Sequence, residues 1–211
     1  MPYPPLQVGG LTPMTTIDYP DHLSAVIFCQ GCPLRCHYCQ NSELLPRHEG
    51  LNIPWEAVLD FLESRRGLLE AVVFSGGEPT LQAALQDAVK AVKAMGFLVG
   101  LHTAGIYPDR FARLLPHLDW VGLDIKAPVE DYETLTGVPG VGESAWQCAR
   151  LLALSGLPHE IRTTLYPAID TQEKKEHLSR AVSSLGDINH VWQVCRDQNF
   201  QSQDSISDSL N

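Results

Sequence analysis

The sequence predicts an α/β fold, a partial (β/α)6 barrel with parallel strands and the helices outside. Six short apolar, β-branched runs recur along the chain, helical patterns lie between them, and 211 residues fall short of the roughly 250 that an eight-unit barrel needs. Strands that alternate with helices imply right-handed βαβ crossovers and a parallel sheet. A doubly wound open sheet is the competing arrangement.

Residues 6–20 are too irregular to assign, so 1–23 are read as an irregular N-terminal segment. The first strand is Ser24–Cys29, and the next helix, 54–62, opens with Pro54 at a first helical position and carries apolar residues at i, i+3, i+4 and i+7. The second strand, 71–75, precedes a helix at 80–95 that places Leu81, Ala84, Leu85, Ala88, Val89 and Val92 on one side, with Thr80 as its cap and Gly96 as its stop. Further strands are expected at Leu98–Thr103, 120–126, 160–166 and 189–195, and further helices at 108–117, 144–155 and 171–185. The end, 198–211, is rich in Ser, Gln and Asp and is expected to be disordered, leaving 1–197 as one domain.

Acidic residues outnumber basic ones by 25 to 15, for a net charge of -10, which argues against nucleic acid and anionic membranes as partners. Met1-Pro2-Tyr3-Pro4-Pro5 has no basic segment followed by an apolar core, and no later stretch is long and apolar enough to span a bilayer, so the expectation is a cytoplasmic enzyme. Four of the six cysteines crowd into one stretch, which is no disulfide framework; Cys148 and Cys195 lie far off in apolar contexts and are expected to be buried free thiols.

Cys32, Cys36 and Cys39 form C-x3-C-x2-C, a spacing that suits three corners of a [4Fe-4S] cluster and leaves the fourth iron open. An open metal position implies chemistry. The rival is a four-cysteine zinc site that recruits Cys29, but zinc ribbons separate their two knuckles by about a dozen residues or more, and here the knuckles nearly touch. Cys29 ends the apolar run 24–28, where a cysteine usually acts as a small buried hydrophobe.

In a parallel barrel the working loops follow the carboxyl ends of the strands. The second strand runs into Ser75-Gly76-Gly77-Glu78-Pro79-Thr80, where two glycines remove the Cβ atoms that would keep a ligand from the backbone. The fourth carries Asp124 and Lys126, which point the same way in an alternating strand and form either a structural ion pair or a ligand contact. Arg162 and Thr164 share a face of the fifth; arginine suits a carboxylate, and a surface ion pair is the alternative. Gln193 is a weaker candidate, and Asp18 and Tyr19 are read as a turn.

The cysteine loop resembles the cluster motif of the radical S-adenosylmethionine (radical SAM) superfamily, down to Tyr38 before the last cysteine. The resemblance implies that Cys32, Cys36 and Cys39 ligate the cluster and that the open iron chelates the amino and carboxylate groups of SAM. An electron from the reduced cluster would then cleave SAM to methionine and a 5′-deoxyadenosyl radical. It also implies that Gly76, Gly77 and Glu78 hold the SAM amino group, and that Tyr38, His102, Thr103, Asp124, Lys126 and Arg162 belong to the cofactor site, with no catalytic residue beyond the cluster and SAM. Tyr38 would lie beside the adenine or simply pack, and His102 would bond SAM or be a satisfied strand-end histidine. Activases of glycyl-radical enzymes use a similar Asp-x-Lys element near the SAM carboxylate. Members with a monovalent cation often show Asp-Thr where this chain has His102-Thr103, so no cation site is expected.

Residues 10–20, the run Phe28-Cys29-Gln30-Gly31-Cys32 and the run Leu101-His102-Thr103-Ala104-Gly105 look like those of activating proteins of anaerobic ribonucleoside-triphosphate reductase. That resemblance implies a partner reductase on which a glycyl radical is made, and reduced flavodoxin or ferredoxin as electron donor, with Arg35, Arg47 and His48 as a modest positive patch. A barrel open on one side admits a loop of a large substrate. The alternatives are a radical SAM enzyme acting on a small molecule, such as a 7-carboxy-7-deazaguanine precursor, and a zinc-binding interaction protein.

Overall fold

Seven strands form one sheet in chain order: β1 (Val8–Thr15), β2 (Ser24–Cys29), β3 (Ala71–Gly76), β4 (Leu98–Thr103), β5 (Trp120–Asp124), β6 (His159–Leu165) and β7 (His190–Val194). The structure is a computed structural model that describes residues 5–47, 52–166 and 171–195. The tail at 198–211 and His48 lie outside the described residues. Among the described residues six α-helices accompany the sheet: α1 (Trp55–Glu63), α2 (Leu85–Ala94), α3 (Pro108–Leu114), α4 (Tyr132–Thr136), α5 (Val141–Ser155) and α6 (Gln172–Ser183).

From β2 to β7 every pairing is parallel, as expected. The strand order never reverses, so crossovers of one hand put their helices on one face and the sheet curls; a doubly wound sheet needs a reversal. The fold is therefore the partial barrel of six parallel strands, with one antiparallel strand added at its edge.

That added strand is β1, in the segment that looked irregular. Gly9, Gly10 and Pro13 obscure its alternation, and its pairing with β2 is broken by two register shifts, so long-range hydrogen bonds decide it rather than local pattern. Three other differences have local causes. The helix expected at 80–95 splits into a 3-10 turn, Pro79–Leu81, and α2, because Glu78 rather than Thr80 caps the first turn. β5 stops at Asp124, and the backbone N–H of Lys126 goes instead to the Tyr132 hydroxyl at 3.0 Å. The short α4 shows no periodicity of its own and is ended by Gly137 in the left-handed conformation.

Alternation along each strand divides the residues between two faces. Ile27, Phe74, Leu101, Leu123 and Ile161 face the helices and build the main core with residues such as Val58, Val89, Phe111 and Leu152. The inward face is plugged by Val26, Val73 and Trp120 packed around Tyr19. Burial of that ring pushes the Tyr19 hydroxyl up to about 12, with help from Asp119. The next inward positions along the strands, Phe28, Ser75, His102, Asp124 and Arg162, have no such plug and line a cleft. Cys148 is buried in α5, whereas Cys195 is only half-buried just past β7, the edge strand among the described residues.

Candidate active site

The cleft at the carboxyl ends of the strands has a volume of about 730 Å³, within the range of small-molecule sites. Cys32, Cys36 and Cys39 all line it; Cys29 does not. Three backbone hydrogen bonds pin the loop that carries them. Gly31 N donates to Leu44 O at 2.8 Å, Cys32 N to Leu45 O at 3.1 Å, and Arg35 N to Thr136 O at the end of α4 at 2.7 Å. Cys29 is completely buried at the end of β2, and burial pushes its thiol far up, as for an inert core cysteine. Burial also raises Cys32, to about 12, and Cys36, which Lys126 pulls part of the way back. A metal must therefore displace protons from these thiols to bind.

Among the described residues no three His, Cys, Asp or Glu side chains converge on one point as a single metal ion requires. The three thiols on one loop line one cleft, an arrangement that suits a cluster whose ligands attach to different irons.

The turn after β3 is joined directly to this loop. Gly77 N donates to Cys29 O at 2.9 Å and Glu78 N to Gly31 O at 2.9 Å. A Cβ on Gly76, which has a φ of 110°, would sit 2.5 Å from Cys29 N, and one on Gly77 would sit 2.4 Å from Gly31 O. Both glycines line the cleft, yet the space they keep clear is filled by the backbone of the cysteine loop. On sequence alone that space is expected to admit a ligand.

Glu78 also departs from expectation. Its side chain is wholly buried and is not part of the cleft wall. One carboxylate oxygen accepts from Thr80 N at 3.0 Å, from the Thr80 hydroxyl and from the Thr103 hydroxyl at 2.7 Å; the other accepts from Ala104 N at 2.8 Å. Burial raises its pKa and these donors oppose the rise. Held by these four donors, Glu78 ties the β3 turn to the end of β4. Thr103 is similarly engaged, giving its hydroxyl hydrogen to Glu78 and accepting from Gly105 N at 3.0 Å.

Asp124, Lys126 and Arg162 meet in the cleft. Asp124 and Arg162 are register partners on β5 and β6; the guanidinium donates through Nε at 3.0 Å and Nη2 at 2.9 Å to one carboxylate oxygen. Lys126 Nζ lies 3.7 Å from the other. Burial alone would raise Asp124, but Arg162 and then Lys126 hold it below the ordinary carboxylate range. Burial would lower Lys126, but Tyr38, Asp124 and Cys36 around it hold it well above its ordinary value, so it stays charged. Tyr38 packs on Tyr166 with ring centroids 5.4 Å apart, beneath the Lys126 ammonium at 5.8 Å. Burial pushes its phenol up to about 12, and the hydroxyl is buried with no hydrogen-bond partner.

His102 is satisfied by the protein. Its Nε2 lies 2.9 Å from the Asp18 carbonyl, which can only accept, so that nitrogen carries the proton. Its ring stands edge-on to Trp120 at 5.4 Å. Burial, reinforced by Arg162, lowers its pKa to about 3 and keeps it neutral. Asp18 and Tyr19 thus do more than turn the chain: one closes the cleft above His102 and the other plugs the barrel below.

Several supports were invisible in the sequence. Arg110 on α3 holds the carbonyls of Thr80 and Leu81, and the Gln82 amide bridges Gln7 N, Gln7 O and Gln30 O at 2.8, 2.8 and 3.0 Å. His37 reaches Thr134 O on α4 at 3.2 Å. Each joins segments far apart in the chain, and no spacing signals them.

Comparison with known proteins agrees with this geometry. Residues 26–181 match the Radical SAM superfamily. A protein of Methanocaldococcus jannaschii named as a glycyl-radical enzyme activating enzyme is 32% identical over 186 residues, covering 83% of this chain and 75% of its own. The pyruvate formate-lyase-activating enzyme of Staphylococcus epidermidis is 33% identical over 190 residues, covering 83% and 74%. Among solved structures, Streptococcus suis SuiB bound to S-adenosylmethionine superposes with a TM-score of 0.64 at 16% identity, covering 80% of this chain and 39% of that one. The anSMEcpe protein with bound AdoMet gives 0.60 at 18%, covering 80% and 49%. This chain thus spans less than half the length of those two structures, and they speak to the fold alone. The chain belongs to the radical SAM superfamily, enzymes that work with a [4Fe-4S] cluster and S-adenosylmethionine, and within it to the glycyl-radical enzyme activating enzymes.

Proposed function

We propose that this chain generates a glycyl radical on an anaerobic ribonucleoside-triphosphate reductase, with reduced flavodoxin or ferredoxin as electron donor. The carrying observation is the open side of the barrel. β1 and β7 are the outer strands and do not pair, yet Ile17 from the β1–β2 turn and Gln193 and Val194 from β7 line the same cleft as the three cysteines. A loop of a protein substrate can enter between them. The relatives named as pyruvate formate-lyase activases support protein activation in general. The runs 10–20, 28–32 and 101–105 are what favour the reductase.

In this reading Cys32, Cys36 and Cys39 hold three irons and leave the fourth to SAM. With both bound, the cluster would give one electron to SAM, the C–S bond would break to methionine and a 5′-deoxyadenosyl radical, and that radical would take a hydrogen atom from the partner's glycine. Lys126 and Arg162 offer positive charge to the SAM carboxylate, with Asp124 keeping both in place. The Gly76 and Gly77 backbone and the Tyr38 ring form the remaining walls. Glu78 and Thr103 hold that wall from behind. The neutral His102 fixes Asp18 over the cleft.

The test is anaerobic reconstitution followed by incubation with a ribonucleotide reductase, and in parallel with pyruvate formate-lyase. A glycyl-radical EPR doublet on the reductase, with 5′-deoxyadenosine formed, is expected. A doublet on pyruvate formate-lyase alone replaces the partner, and 5′-deoxyadenosine without a doublet on either protein overturns the assignment.

A further inference from the structure

β5 ends at Asp124, and past that point the strand ladder no longer sets the direction of a side chain. Ile125 and Lys126 share the peptide group that follows, and side-chain hydroxyls hold both of its ends. The Thr163 hydroxyl on β6 donates to Ile125 O at 2.7 Å, and Lys126 N donates to the Tyr132 hydroxyl on α4 at 3.0 Å. The next carbonyl is held as well, because Trp146 Nε1 on α5 donates to Ala127 O at 3.1 Å. Tyr132 and Thr163 are each 1% exposed and neither lines the cleft, whereas Lys126 does. The clamp therefore acts from the core side on a residue whose ammonium works in the cleft.

Both hydroxyls are themselves fixed. Thr163 gives its hydrogen to a carbonyl, so in its contact with His190 Nε2 on β7, at 3.0 Å, the ring nitrogen donates and locks the hydroxyl's rotation. Tyr132 opens α4, and the rest of that short helix is bonded to the cysteine loop: Arg35 N donates to Thr136 O at 2.7 Å, and His37 Nε2 lies 3.2 Å from Thr134 O. One helix of five residues thus touches Lys126 at its start and the loop of the three thiols further along.

We propose that Tyr132 and Thr163 are positioning residues that aim Lys126 at the carboxylate of SAM, and that α4 sets the spacing between that ammonium and the cysteine loop. The proposal rests on the reading of Lys126 given above. A lysine stem is flexible, and its ammonium is 3.7 Å from Asp124 Oδ2 and 5.8 Å from the Tyr38 ring, contacts too loose to fix it alone. A ligand gripped at two places needs both grips at one separation, and a buried backbone clamp supplies it without occupying the cleft.

Equilibrium dialysis of labelled SAM against the anaerobically reconstituted protein measures this in a double-mutant cycle. Lys126→Met should weaken binding about tenfold and Tyr132→Phe about fivefold, and in the Lys126→Met background Tyr132→Phe should cost nothing further. Iron and sulfide per chain should match the parent throughout. Parent affinity for Tyr132→Phe, or the same loss in both backgrounds, overturns the proposal, since a merely structural tyrosine acts whether or not the lysine is present. Parent affinity for Lys126→Met removes the carboxylate role of Lys126 itself and the proposal with it. Should Tyr132→Phe lose iron, Thr163→Val replaces it in the cycle, with Thr163→Ser expected at parent affinity. An additive loss, no loss, or no rescue by serine then counts against the proposal in the same way.

Discussion

Glu78 and His102 show how a residue's neighbours decide its role. A buried carboxylate with four donors is a brace, and removing it strands the N–H groups of Thr80 and Ala104. Glu78→Ala should cost about 3–5 kcal/mol, and Glu78→Gln, which turns a donor toward a donor, about 1–3 kcal/mol. Denaturant midpoints measure both; a parent midpoint for Glu78→Ala combined with lost SAM affinity would return Glu78 to the ligand role. His102 predicts an acid limit. Its pKa is lowered to about 3 in the fold against an ordinary 6.5, so the unfolded chain binds the extra proton between these values and stability drops as pH falls from 6.5 toward 3. Thermal unfolding from pH 7 to 4 should show a shallower loss for His102→Gln, and equal slopes would contradict it.

At the scale of elements, the contact that matters is the turn after β3 seated against the cysteine loop after β2. β2 and β3 are parallel neighbours, so their exits lie side by side and two motifs some forty residues apart become one unit through two hydrogen bonds. Gly77→Ala drives a methyl into the Gly31 carbonyl and should separate them. Iron retained per chain after reconstitution should fall at least about twofold, with a stability loss of about 1–3 kcal/mol. Gly10→Ala is the control, because its methyl meets Phe28 at an ordinary 3.5 Å. Equal iron in the two variants would mean that the turn does not hold the loop.

The whole molecule contributes an opening. Because the curl stops short of closure, residues from both ends of the sheet face each other across the cleft, and Ile17 and Val194 stand there 82% and 78% exposed. Such exposure is a poor arrangement for a small-molecule enzyme and a good one for a protein substrate. Ile17→Asp should lower glycyl-radical formation about tenfold while 5′-deoxyadenosine release without partner stays at the parent level. Parallel loss of both would place Ile17 in the cofactor site instead. No helix among the described residues is long and apolar enough to cross a membrane.

Read alone, the sequence determined the six parallel strands, the cysteine loop and the turn after β3, because short-range periodicity and spacing carry that information. It also put Asp124 and Arg162 on neighbouring strands, where they are register partners, but Lys126 lies beyond the end of β5 rather than on it. What it could not contain is who satisfies whom. β1 exists through pairing with β2, Glu78 is withdrawn from the cleft by donors twenty-five residues away, and His102 is held by a carbonyl eighty-four residues back. A buried polar group takes the nearest partner in space, and only the closed tertiary structure decides which partner that is.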